Sequence, residues 1–554
     1  MDAPALRQAT ALLDLEPAGQ SHAAVLPLLE QRLWDDPSVE LQNLYAAFCR
    51  EMGQETVAPH PILVVIPVAD RPRQLRQCLE SLLGARGRFA YPGGLRLLLV
   101  EDSAREASRE ANRALIDEMN HRGLDSHYLG LSEQWGLLQR WQSELPLFLG
   151  EHSPDGLGHK GASVTRNIAK LWLAHQGFED TLFHFIDSDQ AFHLGEANGD
   201  PLFLLDHAGH IDRMFRVHGL EVLTGKVIGD PPVSPAVMAG TLLQDLLSVL
   251  DRALPALDRP CCFHQGGGDA GHGAYHDMAG LFGLQTKGDF VYACPLPMPH
   301  NHDDMLEHLG SQLGRFFDGE HPTRVTRFTP TPIEQSLAPA RTVYTGNYVL
   351  NHAGLRHGIP FANLKLRMAG PTLGRLLQAR LGPAFAQANL PLLHRRTESG
   401  SGRAECRPGV VRHHGGIDLS DEYRRQFLGD WMLFTVVELV ESDYPSQVPE
   451  ERRIAKVLSA VEGQLLREYR RVRRKVGERL HGMEQAMASS MPGTIRHHFL
   501  AFAATVRANY QEDTPAVRAL EDPGFRDLWR QRLLESLRAL PGQQQAWERR
   551  IAGQ

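Results

Sequence analysis

An α/β body with helical segments at both ends is the fold class this chain predicts, on three observations. Between residues 61 and 195, short apolar runs that end in acids alternate with helical stretches. Before that, Leu26, Leu29 and Leu33, then Leu41, Leu44 and Phe48, fall at helical spacing with no strand-like run. From Glu450, apolar positions at Ile454, Val457, Leu458, Val461, Leu465, Tyr469, Val472, Val476 and Leu480 recur at three and four, the stripe of a long amphipathic helix.

The elements follow in order. At Pro61 the character changes to ILVVIPV, a β-branched run that fits a strand buried on both faces. RPRQLRQCLESLLGA is the helix after it, and LRLLLVEDS, from Leu95 to Ser103, is a second strand ending in acids. Further helices are expected at 105–122 and 161–176, and TLFHFIDSDQ from Thr181 is a third strand, so the pattern opens a parallel sheet. Residues 219–288 are rich in Gly and Pro and are expected to form long loops, with GDPPVSPAV from Gly229 as a fixed one and QGGGDAGHG from Gln265 as a flexible one. The segment RRTESGSGRAECRPGVVRHHGG from Arg395 has no apolar periodicity and reads as a linker. The expected organisation is thus a helical extension over 1–56, a body over 57–394 divided near 195, a flexible segment over 395–417, and a helical region over 418–554.

With 554 residues the chain exceeds what one core of about 250–300 residues holds. The 42% hydrophobic and 22% charged composition is that of a globular protein. No run approaches the roughly 20 apolar residues that cross a bilayer, and no leader pattern opens the chain, so a cytoplasmic protein is expected. A net charge of −8 disfavours nucleic acid as a partner. The six cysteines include no CxxC pair and read as reduced, incidental thiols, leaving oxygen and imidazole as the expected metal ligands.

Ligands gather at the carboxyl ends of parallel strands. Three such ends carry polar groups: Pro67 to Arg71 with Asp70, Glu101-Asp102-Ser103, and Asp187-Ser188-Asp189. An acid at one strand end is also a common N-cap. Asp187 and Asp189 are the sharpest candidates, because two carboxylates at alternate positions after a buried strand can share one hard cation, Mn2+ or Mg2+.

In VVIPVADRPRQLRQCLESLL, LLLVEDSA, GHKGASVTRNIAKL and FHFIDSDQ the chain resembles the GT-A glycosyltransferases, family two above all, over residues 61–195. The resemblance implies a GT-A fold, a Rossmann-like and mostly parallel sheet flanked by helices, with a nucleotide-diphosphate sugar as donor and a hydroxyl-bearing acceptor. It implies that Asp70, Glu101 and Asp102 face the nucleoside, with Pro67 and Arg71 beside them. It also implies that Arg166, with Lys160, approaches the diphosphate and that Asp187 and Asp189 hold the metal. His300-Asn-His-Asp-Asp304 resembles the acidic motif that heads a helix in the family, which makes Asp303 or Asp304 the catalytic base. Two acids there also complement a helix dipole. His302 is the candidate to complete the metal shell, with His352, His394, His413 and His414 behind it. The arginine cluster from Arg467 to Arg474 reads as a solvated helix face.

Two other readings stand beside a glycosyltransferase. A nucleotidyltransferase shares the layout, but PVADRP replaces its usual Gly-rich loop, and a non-catalytic sugar-binding scaffold would have no need of the acid pair. The terminal helices are expected to supply no metal ligand and to cover their stripes on the body, on each other, or on a second copy of the chain.

Overall fold

Three helices open the chain: α1 (Pro4–Leu12), α2 (His22–Asp35) and α3 (Val39–Glu55). Their expected stripe, including Leu26, Leu29, Leu33, Leu44 and Phe48, is buried in a cluster of its own that takes in Phe89 and Leu204 from the body. The computed structural model describes residues 3–16, 19–197, 199–264, 292–396, 410–413 and 416–553. The expected loop from Gln265 lies outside the described residues, as do Cys406, His414 and most of the expected linker.

The body runs β1 (Ile62–Val68), α4 (Pro72–Phe89), β2 (Leu95–Glu101), α5 (Glu106–His121), β3 (Ser126–Leu129), α6 (Leu131–Trp141), α7 (Pro146–Leu149), α8 (Ala162–Ala174) and β4 (Leu182–Ile186). The helices and strands expected here are present. β3 was not expected, because this four-residue edge strand carries no apolar run. Next come β5 (Gln190–Ala191), a hairpin of β6 (Glu196–Ala197) and β7 (Asp200–Pro201), α9 (His207–His218), β8 (Val222–Gly229) and α10 (Pro235–Ala253). After these lie α11 (His302–Gln312), β9 (Ala338–Pro339), β10 (Asn347–Leu350), α12 (Ala369–Leu381) and β11 (Phe385–His394).

The loops expected over 219–288 are corrected in their first part, since β8 is an interior strand and α10 a buried helix. Pro235 stands in the first turn of α10, where no backbone donor is required. Gly225 lets β10 approach, because a Cβ there would meet Asn347 Nδ2 at 2.4 Å.

The main sheet has the order β3-β2-β1-β4-β10-β8-β11-β5, with β9 also on β11. β1, β2, β3 and β4 are mutually parallel, as expected, but β10 is antiparallel to both its neighbours and β5 and β9 are antiparallel to β11. The sheet is therefore mixed. Alternate side chains of β1 part to opposite faces. Ile62, Val64, Ile66 and Val68 join residues of α4, α5 and α9 on one face, while Leu63 and Val65 join α8, α10 and the C-terminal helices on the other.

After a hairpin of β12 (Val411–His413) and β13 (Gly416–Asp418) come α13 (Ser420–Val440), α14 (Glu451–Ser490), α15 (Gly493–Tyr510), α16 (Pro515–Glu521) and α17 (Pro523–Ile551). The α14 stripe is covered within the chain, in the same core as α8 and α10. Its basic face is matched by acids, with Arg470 and Arg473 both on Glu521. α17 returns to the body, where the Trp547 ring lies 5.0 Å from Phe148 and its Nε1 donates to the Leu355 carbonyl at 3.1 Å. Among the described residues, no helix is long and apolar enough to cross a membrane.

Candidate donor and metal site

The strand order reverses at β1, since β2 and β3 lie on one side of it and β4 on the other. The crevice beyond the carboxyl ends of β1 and β4 is the position where open α/β sheets bind ligands. Arg71 leaves one end and Asp187 and Asp189 the other, and Arg71 Nη1 donates to Asp189 Oδ2 across the gap at 3.1 Å. From the first turns of α8, the buried Arg166 donates through Nη2 to Asp187 Oδ1. Each acid thus faces one guanidinium. Gln190 Oε1 accepts from the Asp187 N–H at 3.0 Å and holds the turn between β4 and β5. Gly346 makes room for it, since a Cβ there would stand 2.4 Å from Asp187 Oδ2.

β5 pairs with the end of β11, Gln190 opposite His394, and this rung brings an imidazole to the acids. His394 Nε2 lies 3.4 Å from Asp189 Oδ2, and Nδ1 donates to the Asp230 carbonyl at 2.6 Å. With its Nδ1 proton on a carbonyl, the ring turns Nε2 toward the carboxylate, the orientation typical of a metal-ligating histidine. Burial pushes the Asp189 carboxyl up, but His394 and Arg71 outweigh it and hold Asp189 well below the usual carboxylate range. Burial pushes His394 down, and the Asp189 charge outweighs that and raises it. Asp189 Oδ1, Gln190 Nε2, Arg166 Nε and Arg396 Nε are buried with no hydrogen-bond partner among the described residues. Such a concentration of unsatisfied polar atoms in one place suits a polar ligand.

Asp230 follows β8 directly, and its Oδ2 accepts from the Arg396 N–H at 2.7 Å. Thr326 is bridged to Gly229, with N···O distances of 2.7 and 2.9 Å, and this pins the segment that follows α11 against the end of β8. Glu320 stands in this neighbourhood. Burial and the Asp230 charge raise its carboxyl to about 7, against the pull of Arg315. Glu320 did not stand out from the sequence, and His394 stood only among the reserve histidines behind His302. His394 ends the run FAQANLPLLH, a strand end without an acid, and Glu320 lies in no apolar pattern at all.

The other expected site residues have different employment. Asp70, at φ 56°, accepts from the Arg105 and Ala104 N–H groups at 3.1 and 3.3 Å and from His159 Nε2 at 2.7 Å. Burial opposes these bonds, but they win and hold its carboxyl at about 2. Glu101, expected beside the nucleoside, is bonded inside the fold as a strut. It is fully buried and accepts from the Ser103 N–H at 2.7 Å, Asn112 Nδ2 at 2.9 Å and Tyr128 OH at 3.0 Å. Asp102 and Lys160 form a buried ion pair of 2.9 Å, with Lys160 Nζ also donating to the Leu157 carbonyl at 2.6 Å. Lys160 is thereby spent inside the protein rather than turned toward a diphosphate. Pro67 lies in β1 past the rungs that pair with β4, opposite Val100.

Asp304 is the third residue of a capping box on α11. Its N–H donates to Asn301 Oδ1 at 2.8 Å, and its carboxylate accepts from the Asn301 N–H at 3.2 Å. Asp303 is part-buried, with Oδ1 unpartnered. His302, the expected shell ligand, has both its nitrogens engaged away from the acid pair. Nδ1 donates to the Ala256 carbonyl at 2.8 Å and Nε2 accepts from the Cys262 N–H at 3.2 Å.

Neither a family model nor a curated protein matches this chain. Among solved structures it is similar to the mannosyltransferase PcManGT from Pyrobaculum calidifontis in complex with GDP-Man and Mn2+, at 10% identity and a TM-score of 0.32, over 92% of this chain and 97% of that chain. A likeness this remote assigns no activity.

Proposed function

We propose that the chain is a metal-dependent glycosyltransferase of the GT-A type, moving a sugar from a nucleotide-diphosphate sugar to a hydroxyl acceptor. The observation that carries this reading is the convergence of Asp187, Asp189 and His394 at the switch point of the sheet, with Arg71 and Arg166 each bonded to one acid. Two carboxylates and an imidazole with a fixed tautomer suit Mn2+ or Mg2+, and the buried Asp189 Oδ1, which has no hydrogen-bond partner among the described residues, would be one of the oxygens to hold it. When bound, such a cation would neutralise charge on the departing nucleoside diphosphate.

The chain's own residues supply the rest. Arg71 and Arg166 carry planar forks that match phosphate oxygens, and they stand beside the acids with which a diphosphate-bound cation would engage. Asp70 fixes the 104–105 turn at the mouth of the crevice. Glu320, raised to about 7, is suited to take the proton of an acceptor hydroxyl as its oxygen bonds to the anomeric carbon and the bond to the diphosphate breaks. It replaces Asp303 and Asp304 in that role. In this reading residues 57–394 are the transferase body, and the terminal helices are its scaffold.

Titration calorimetry with a panel of UDP- and GDP-sugars, with and without manganese, tests the proposal. One donor is expected to bind only with the metal, and Asp187→Ala and Asp189→Ala are expected to abolish that binding while the fold survives. Undiminished donor affinity in either variant overturns it.

A further inference from the structure

A second set of ligands lies away from the acid pair, where the chain enters α11. Cys261, His264, Cys294 and His300 have their ligating atoms all within 4.8 Å of one another. His264 Nε2 and His300 Nε2 are 3.2 Å apart, and Cys294 Sγ is 3.3 Å from His300 Nε2. Ligands of tetrahedral zinc, at about 2.0–2.1 Å for nitrogen and 2.3 Å for sulfur, stand roughly 3.3–3.8 Å from each other. The His264–His300 and Cys294–His300 separations are of about that size.

The backbone builds this arrangement. Pro260 and Asn301 form an antiparallel bridge, with the Cys261 N–H donating to the His300 carbonyl at 3.0 Å and the His302 N–H to the Arg259 carbonyl at 3.2 Å. The Cys294 N–H donates to the Phe263 carbonyl at 3.1 Å. His300 Nδ1 donates to the Pro297 carbonyl at 2.9 Å, which leaves a lone pair on Nε2, the atom that faces His264 and Cys294. Two imidazole nitrogens that face each other beside a sulfur have few protons to share, whereas a cation between them satisfies all three. Behind the cluster, Phe263 and Tyr292 are buried with ring centroids 5.5 Å apart.

We propose that these four side chains are a structural zinc site, independent of the transferase reading. Four protein ligands close a tetrahedron and leave no position for substrate, and two thiolates with two neutral imidazoles favour zinc over the hard cations that suit Asp187 and Asp189. Binding releases the two thiol protons to solvent, and the two thiolate charges balance that of the ion. The site clips residues 261–264 to 294–300 and so anchors the start of α11. The spacings are Cys-x2-His and Cys-x5-His, which a search for CxxC pairs passes over; the thiols read as incidental in the sequence include two ligands.

Elemental analysis of the full-length protein is expected to find one zinc per chain. Replacement by cobalt is expected to give the intense visible bands of a tetrahedral ion with thiolate-to-metal charge transfer. Cys261→Ser and Cys294→Ser should lower the zinc ratio from one to near zero. Cys262→Ser, whose thiol faces His302, and Asp189→Asn should keep it. A weak, six-coordinate cobalt spectrum in the wild-type protein overturns the proposal even if the cysteine variants fail to fold. Stoichiometric zinc in the Cys261→Ser/Cys294→Ser double variant also overturns it.

Discussion

At the scale of single residues the candidate site is a balance of charges. Two carboxylates are offset by Arg71, Arg166 and the raised imidazole of His394, so a cation that enters must displace a proton from His394 Nε2. The sign follows. Because metal binding needs the neutral ring, and Asp189 holds the proton on more tightly than usual, metal-dependent donor affinity should weaken as pH falls through the raised range of His394 and recover above it. In the metal-free protein the effect is opposite. The Asp189–His394 pair contributes stability that is present below the ordinary histidine range and is lost as pH rises through the folded value. His394→Ala should weaken donor binding at every pH and flatten its dependence, as calorimetry at a series of pH values would read. A pH dependence that persists unchanged in that variant would move the titrating group elsewhere.

At the scale of elements, what could be read from the sequence divides by the kind of signal each carries. β1, β2 and β4 are apolar runs buried on both faces, and their acids mark their carboxyl ends, so the place of Asp187 and Asp189 just past a buried strand was legible. Spacing also gave α14 its stripe and extent. β8 and α10 were hidden by Gly225 and Pro235, residues that break regular structure in isolation but here serve a close strand contact and a helix start. His394 could not be told apart from the other reserve histidines, because its meeting with Asp189 depends on the β5–β11 rung, a pairing between residues some two hundred positions apart that no local pattern encodes. The acids of α11 show the same limit, since a capping box and a catalytic pair look alike in sequence. The two roles separate by experiment. Asp304→Asn keeps the N-cap bond, whose donor is the Asp304 backbone N–H, and removes only a negative charge from the helix start, so it should cost about 0.5 kcal/mol of stability and leave turnover largely intact. Glu320→Gln should lower turnover by about a hundredfold or more with donor affinity kept. Steady-state kinetics beside thermal unfolding would read both, and a full loss of turnover in Asp304→Asn would return the base to α11.

At the scale of the whole molecule, the helical ends are attached in different ways. The C-terminal helices share one continuous core with a face of the sheet, whereas the N-terminal helices keep a separate cluster, which reaches the body through Phe89 and Leu204, and add a buried polar network to that contact. Glu30 of α2 accepts from His210 Nε2 of α9 at 2.6 Å, and His210 Nδ1 lies 3.1 Å from Glu334, which also holds Arg213 at 2.6 Å. Burial pushes His210 down, but the Glu30 charge outweighs it, and the imidazole rises from 6.5 to about 9. A histidine raised in the folded state contributes stability that is complete below its unfolded value and disappears as pH climbs through the folded one. The attachment of α2 should therefore be firm at pH 6 and weaken between about 6.5 and 9. Glu30→Gln removes the charge that raises His210, so its unfolding midpoint should lie well below wild type at pH 6, in keeping with the roughly 3–5 kcal/mol cost of breaking a buried pair. The gap should narrow toward pH 9.5, where the wild-type imidazole has lost its proton as well. Thermal unfolding of both proteins across that range reads the prediction, and a gap that stays constant would show that Glu30 acts through packing and not through the charge of His210.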